Sequence, residues 1–233
     1  MASLLAGALL TACTVIASAA QSGEPNVVAA TPAEVSFQFE RLGLPVPSFA
    51  VRVHEDGTGS YQAEEVEGPS DGGAVRYATA KHIDRTINLT PATVAKIFDT
   101  ARELKHFAMD CESKAKNVAN TGKKTLSYTG PDGTGSCVYN YSDQKDVEML
   151  TKTFIAIAYT LDEGRRLEYL HRYDRLGLDA ETIALEHAVK AGQALEVGTI
   201  APVLTAIAAD TAVMQRVRQR IARLLEQEKG NRI

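Results

Sequence analysis

The chain has 233 residues, of which 45% are apolar and 23% charged, enough to bury a core in one large domain or two small ones. Its formal net charge of -4 gives no long-range pull on polyanions, so no nucleic acid is expected as a partner. Zero Trp and 6% aromatic residues also argue against a sugar-binding platform of exposed rings.

Met1 to Ala20 is a run of apolar and small residues that reads as a signal peptide, with small residues at Ala19 and Ala20 for cleavage. It lacks a positively charged start. Leu10-Thr11-Ala12-Cys13 resembles the bacterial lipobox, which would make Cys13 a lipidation site and give the chain a membrane anchor; without that lipid no membrane association is expected. Both readings export the protein. The bland alternative is a buried N-terminal helix of a cytosolic protein. Residues 21–33 are small, polar and without periodicity, as in a flexible tether.

An α+β domain is expected over residues 34–142. Val35, Phe37 and Phe39 alternate with Ser36, Gln38 and Glu40, and Leu44-Pro45-Val46-Pro47 ends that strand. A second strand starts at Ser48, Asp56-Gly57 turns the chain, and Ser60 to Ala63 returns it. Glu64 to Gly73 reads as an acidic loop whose spacing fits no regular calcium loop, and Val75 to Ala78 as a short strand. His82 to Leu89 alternates again. Thr90 can then cap a helix with Pro91 in its first turn. Val94, Ile97, Phe98, Ala101 and Leu104 form its apolar stripe, so the spacing predicts a helix from Pro91 to Phe107. The stripe is expected against Val51, Val53, Ile87 and Tyr139. Asp132-Gly133 closes a second hairpin between Thr125 to Thr129 and Ser136 to Tyr141.

From residue 143 to 228 the pattern is helical. Val147, Leu150, Phe154, Ile157 and Leu161 recur by three and four, and Gly164 reads as an end or bend before the polar stretch Arg165 to Asp174. Asp179 is expected to cap a helix reaching Gly192, Thr199 to Ala209 to form another, and Asp210 to cap the last, whose seam is Met214, Val217, Ile221, Leu224 and Leu225. The fold class is therefore α+β: an antiparallel sheet of five to seven strands with one packed helix, followed by a helical C-terminal part.

Asp-Gly-Thr-Gly-Ser occurs at Asp56 to Ser60 and at Asp132 to Ser136. The bilobal aspartic proteases carry Asp-Thr-Gly without the intervening Gly, so two hairpin turns, each with a Gly spare for a bulge, account for the repeat. The five histidines lie in different elements with no His-x-x-x-His, so no metal site is written locally; His54, His82 and Asp84 could form a polar cluster on the sheet. Hydrolase elbows, phosphate loops and dinucleotide fingerprints are missing from the sequence, and no cofactor is expected. Arg216, Arg218, Arg220 and Arg223 read as a solvated face of the last helix, with an anionic surface as the rival reading. Two sequons, at Asn88 and Asn140, would matter only in a eukaryotic secretory pathway.

With the signal removed, Cys111 and Cys137 are the remaining cysteines, and in an oxidising compartment an isolated pair is expected to be joined. The order of Asp-Gly hairpin, strand, Thr-Pro-capped helix, Cys and second Asp-Gly hairpin over residues 34–160 resembles exported bacterial domains of uncharacterised function. The expected role is a non-catalytic binding or scaffolding module for a protein partner in the cell envelope. The alternative is a periplasmic hydrolase with a dispersed site around His82 and Asp84.

Overall fold

The structure is a computed structural model that describes residues 32–67 and 79–231. The expected signal peptide with Cys13, nearly all of the tether and the strand at Val75 to Ala78 lie outside the described residues.

Among the described residues six strands form the sheet: β1 Glu34–Glu40, β2 Ser48–His54, β3 Thr58–Glu67, β4 Thr79–Asn88, β5 Lys123–Gly130 and β6 Gly133–Tyr139. All neighbours are antiparallel, in the order β4-β3-β2-β1-β5-β6. β3 and β4 are longer than their alternation suggested, because Glu64 and Glu65, read as loop, still pair with His82 and Lys81. Period-two alternation buries one face, with Phe37, Val53, Tyr61, Ile87, Leu126 and Tyr128 nearly inaccessible. Gln38, Arg52, Asp84 and Ser136 on the other face are exposed.

The first helix, α1, spans Pro91–Glu103. Thr90 Oγ1 accepts the Thr93 N–H at 3.4 Å, as expected of an N-cap. The rest of the cap comes from far along the chain: the buried Glu196 carboxylate accepts the Thr90 N–H at 2.8 Å, the Thr90 hydroxyl at 2.6 Å and the Thr93 hydroxyl. An anion at a helix N-terminus is favourable, so the C-terminal part completes the cap. The stripe from Val94 to Leu104 is buried in the same core as Val51, Val53, Ile87 and Tyr139.

The helix ends before Phe107. Lys105, His106 and Phe107 have φ of 54°, 57° and 64°, a left-handed turn that costs L-residues roughly 1–2 kcal/mol each. Phe107 is fully buried all the same, so its helical spacing from Leu104 marked the core and not the helix. Room for the turn comes from the second hairpin. A Cβ on Gly133 would lie 2.5 Å from His106 Nδ1, and one on Gly135 would lie 2.3 Å from the His106 carbonyl oxygen. Just beyond, Cys111 and Cys137 stand in disulfide geometry, with Cα atoms 5.8 Å apart.

The helical part is α2 Lys145–Tyr173, α3 Leu178–Lys190, α4 Ala201–Ala209 and α5 Gln215–Asn231. Gly164 neither ends nor interrupts α2, which runs on through the polar stretch to Tyr173. Its hydrogen atom faces Ile200, whose Cγ2 would be 2.4 Å from a Cβ; the glycine marks close packing. Asp179 does not cap α3. Its carboxylate binds Arg216 at 2.7 Å and Arg220 at 3.2 Å. With its side chain only 12% exposed, Arg220 joins α5 to α3, and the expected solvated arginine face is partly an ion-pair seam. Asp210 accepts the Ala212 N–H at 2.9 Å and binds His171 at 2.9 Å, so it fixes the turn before α5. The sheet and helices share one hydrophobic core. No described helix is long and apolar enough to cross a membrane.

Candidate functional site

Helix α2 crosses the buried face of the sheet from one edge to the other. At β6 the Tyr139 hydroxyl meets Thr151 Oγ1 at 2.6 Å. Over β1, Phe154 stacks on Phe37 with centroids 5.3 Å apart. At β3 the Tyr61 hydroxyl donates to Asp162 at 2.8 Å, and at β4 Arg85 reaches Glu168 at 3.4 Å. From Thr151 to Glu168 the helix rises roughly 26 Å at about 1.5 Å per residue. The gaps between β6 and β4 add up to about 24 Å at ~4.8 Å each. The helix thus reaches the outer edge at Glu168, yet continues to Tyr173, roughly 7.5 Å further.

That overhang is wider than one strand spacing. It carries Tyr169 and Tyr173, 61% and 64% exposed, with ring centroids 4.9 Å apart and Arg172 over the Tyr173 ring at 5.4 Å. Below it, β4 pairs with β3 on one side, and among the described residues nothing pairs with its other side. The two elements bound a groove of about 840 Å³ floored by Lys81 to Arg85 and walled by Tyr159, Tyr169 and Tyr173. At the opposite edge β6 lies against the left-handed turn, with Gly135 closely apposed to the His106 carbonyl.

Inside the groove Arg165 gathers two of the carboxylates. Arg165 binds Glu65 through both terminal nitrogens, at 2.7 and 3.2 Å, and Asp162 at 3.3 Å. The Arg165 hydrogen bond holds Glu65 below the usual carboxylate range. Burial lifts Asp162 above it, against the Tyr61 and Arg165 hydrogen bonds, and burial beside Asp162 pushes the Tyr61 hydroxyl up. Glu163, 5% exposed, is pushed up to about 8 by burial, then by its hydrogen bond to Glu181 and that group's charge. The cluster ties α2 to the sheet, Arg166 binds Glu181 of α3 at 2.8 Å, and within the overhang His171 meets Asp210 at 2.9 Å; the overhang forms a shelf.

The residues singled out from sequence fall in different places. His82 Nδ1 lies 2.7 Å from Glu64, and Asp84 accepts from Gln62 at 3.3 Å, both across the β3–β4 pair. His54 is not with them: it sits at the turn end of β2, 3.9 Å from Glu34. His82 and Asp84 do border the groove. With Gly164 read as an end or bend and Arg165 to Asp174 as a polar stretch, the shelf is not visible in the sequence; Tyr169 and Tyr173, four residues apart, are the available signal. Comparison with known protein families, curated proteins and solved structures finds no match.

Proposed function

We propose that this chain is an exported, non-catalytic binding or scaffolding module of the cell envelope, and that it holds its protein partner at the edge of β4 beneath the end of α2. The observation that carries the reading is the overhang: two exposed tyrosines and an arginine beyond β4, above an edge that no other strand pairs among the described residues. Tyr and Arg dominate the energetics of protein interfaces, and an open edge accepts an added strand through main-chain hydrogen bonds. The groove wall mixes cations and carboxylates, with Arg85–Glu168 and Arg165–Glu65 paired across it, which suits a mixed-charge polypeptide better than a polyanion. The apolar run from Met1 to Ala20 and the disulfide geometry of Cys111 and Cys137 support placement in an oxidising compartment.

The test is site-specific photo-crosslinking in envelope fractions, with the photoreactive residue at Tyr173 or, as control, at Arg52 on the exposed sheet face. Adducts from position 173 that disappear with Tyr169→Ala are expected. Adducts from position 52 alone would move the working surface to the other face of the sheet, and none from either would remove the binding reading.

A further inference from the structure

The shelf and the groove beside it are complementary to each other, which points to a partner with the same two features. We propose that the strand added at β4 is the β4 of a second copy of this chain, giving a twofold dimer with one continuous sheet. This rests on the reading of the β4 edge as the working surface and names its occupant.

Symmetry restricts how β4 can pair with itself. A twofold axis normal to the sheet preserves its faces, and opposed residues of antiparallel strands point to the same face. The numbers of opposed residues must then sum to an even value. Centring the axis on Ile83 sets each His82 opposite the other copy's Asp84, so an imidazole meets a carboxylate twice on the exposed face. In that register Ala80 faces Thr86 and Ile83 faces Ile83. Lys81 faces Arg85, but Arg85 brings its own carboxylate, Glu168 at 3.4 Å, so Lys81 meets an ion pair and not a bare cation. Centring on His82 instead opposes two imidazoles, and centring on Asp84 opposes two carboxylates.

The helices fit the same register. Since α2 crosses the edge at Arg85, its end passes above the second copy's Lys81, and the second copy's α2 passes above Lys81 of the first. Lys81 and Arg85 are about 14 Å apart along a strand at ~3.4 Å per residue, and packed helices need 8–10 Å between axes. The two α2 ends therefore pass side by side. Each places Tyr169 and Tyr173 in the groove over the other's Lys81 to Arg85, the groove of about 840 Å³ described above.

The experiment uses the full-length chain with Cys13→Ser, so that only introduced thiols report. Light scattering on a sizing column at tens of micromolar is expected to give about twice the chain mass of 25.0 kDa; a monomer mass throughout would overturn the dimer. Register is tested with H82C and D84C, both exposed positions whose replacement leaves the core intact. Oxidising a mixture of the two variants is expected to give a covalent dimer, whereas either alone gives little, since like positions are offset by two residues. Dimers crosslinked equally in every sample, or a dimer with no crosslink in the mixture, would overturn the β4 register. A monomer that still yields position-173 adducts with another envelope protein would sink the dimer and leave the binding reading standing; a monomer without adducts would sink both.

Discussion

At residues 56–60, Asp-Gly-Thr-Gly-Ser closes the β2–β3 hairpin from its own resources. Asp56 Oδ1 accepts the Thr58 N–H at 2.8 Å and the Thr58 hydroxyl at 2.6 Å, and Gly57 takes φ of 87°, where side chains are strained. At residues 132–136 the same five residues close β5–β6, but Asp132 turns away from its turn. It accepts the Tyr128 hydroxyl at 2.5 Å and Arg102 Nε at 2.9 Å, with His106 Nε2 at 3.4 Å. Arg102 also reaches Glu55 at 2.7 Å, so one side chain of α1 holds both hairpins. The first glycine is needed for conformation in one copy and for space in the other. A pentapeptide is sufficient for a turn; what its side chains do next depends on what packs beside it.

The largest break in this comparison should come from the cysteines flanking the second copy. A bridge between Cys111 and Cys137, 26 residues apart, constrains the unfolded chain by about 3.5 kcal/mol on the loop-entropy account. Cys111→Ala with Cys137→Ala is expected to lower the denaturation free energy by roughly that amount. Hydrogen exchange should quicken at residues 105–107 and β6 before it does in β2–β3. Equal loosening of both hairpins would mean that they are not separately braced.

A double-mutant cycle separates space from conformation. Gly133→Ala drives a methyl into the His106 ring, so His106→Ala should rescue it, with a coupling of about 1–2 kcal/mol. Gly57→Ala costs about 1 kcal/mol through its φ and should add to His106→Ala within ~0.5 kcal/mol. Urea melts of the three single variants and the two doubles read this out. Tyr128→Phe, which removes one hydrogen bond to Asp132, is expected to cost about 1 kcal/mol; that hydroxyl comes from outside the turn, whereas the one on Asp56 belongs to Thr58 within it.

How much of this the sequence displayed depends on how local the cause is. Both hairpins, the Thr90-Pro91 helix start, the buried stripe and the cysteine pair were legible because the residues responsible are neighbours or share one period. The end of α1 was not, since a left-handed turn at Lys105 to Phe107 is permitted only by Gly133 and Gly135, nearly thirty residues away. Gly164 misled for the same reason: the contact that needs its missing Cβ is Ile200. Asp179 and Asp210 look like caps in sequence but meet Arg216, Arg220 and His171 in space. The candidate site depended on the length of α2, so misreading one glycine hid it.

The smallest expected effect is in acid, where the two aspartates can be compared directly. Asp132 is held well below the usual carboxylate range, first by the Tyr128 hydroxyl and then by Arg102. Asp56 is lowered chiefly by the hydroxyl and N–H of Thr58, within its own turn. A carboxyl depressed in the folded state contributes stability above its unfolded value near ~3.9, and loses it as pH falls through the folded value. Below about pH 4 both residues therefore weaken the fold, Asp132 over a longer range. Asp132→Asn is expected to flatten the acid limb of a stability profile between about pH 4 and 2 more than Asp56→Asn does, with the two profiles running parallel above about pH 5. Tyr128→Phe should reproduce part of the Asp132→Asn flattening, because it removes the leading cause of the depression while leaving the carboxylate in place. Equal flattening by Asp56→Asn would show that the turn itself sets the acid response of both hairpins and that the contacts gathered by Asp132 add nothing to it.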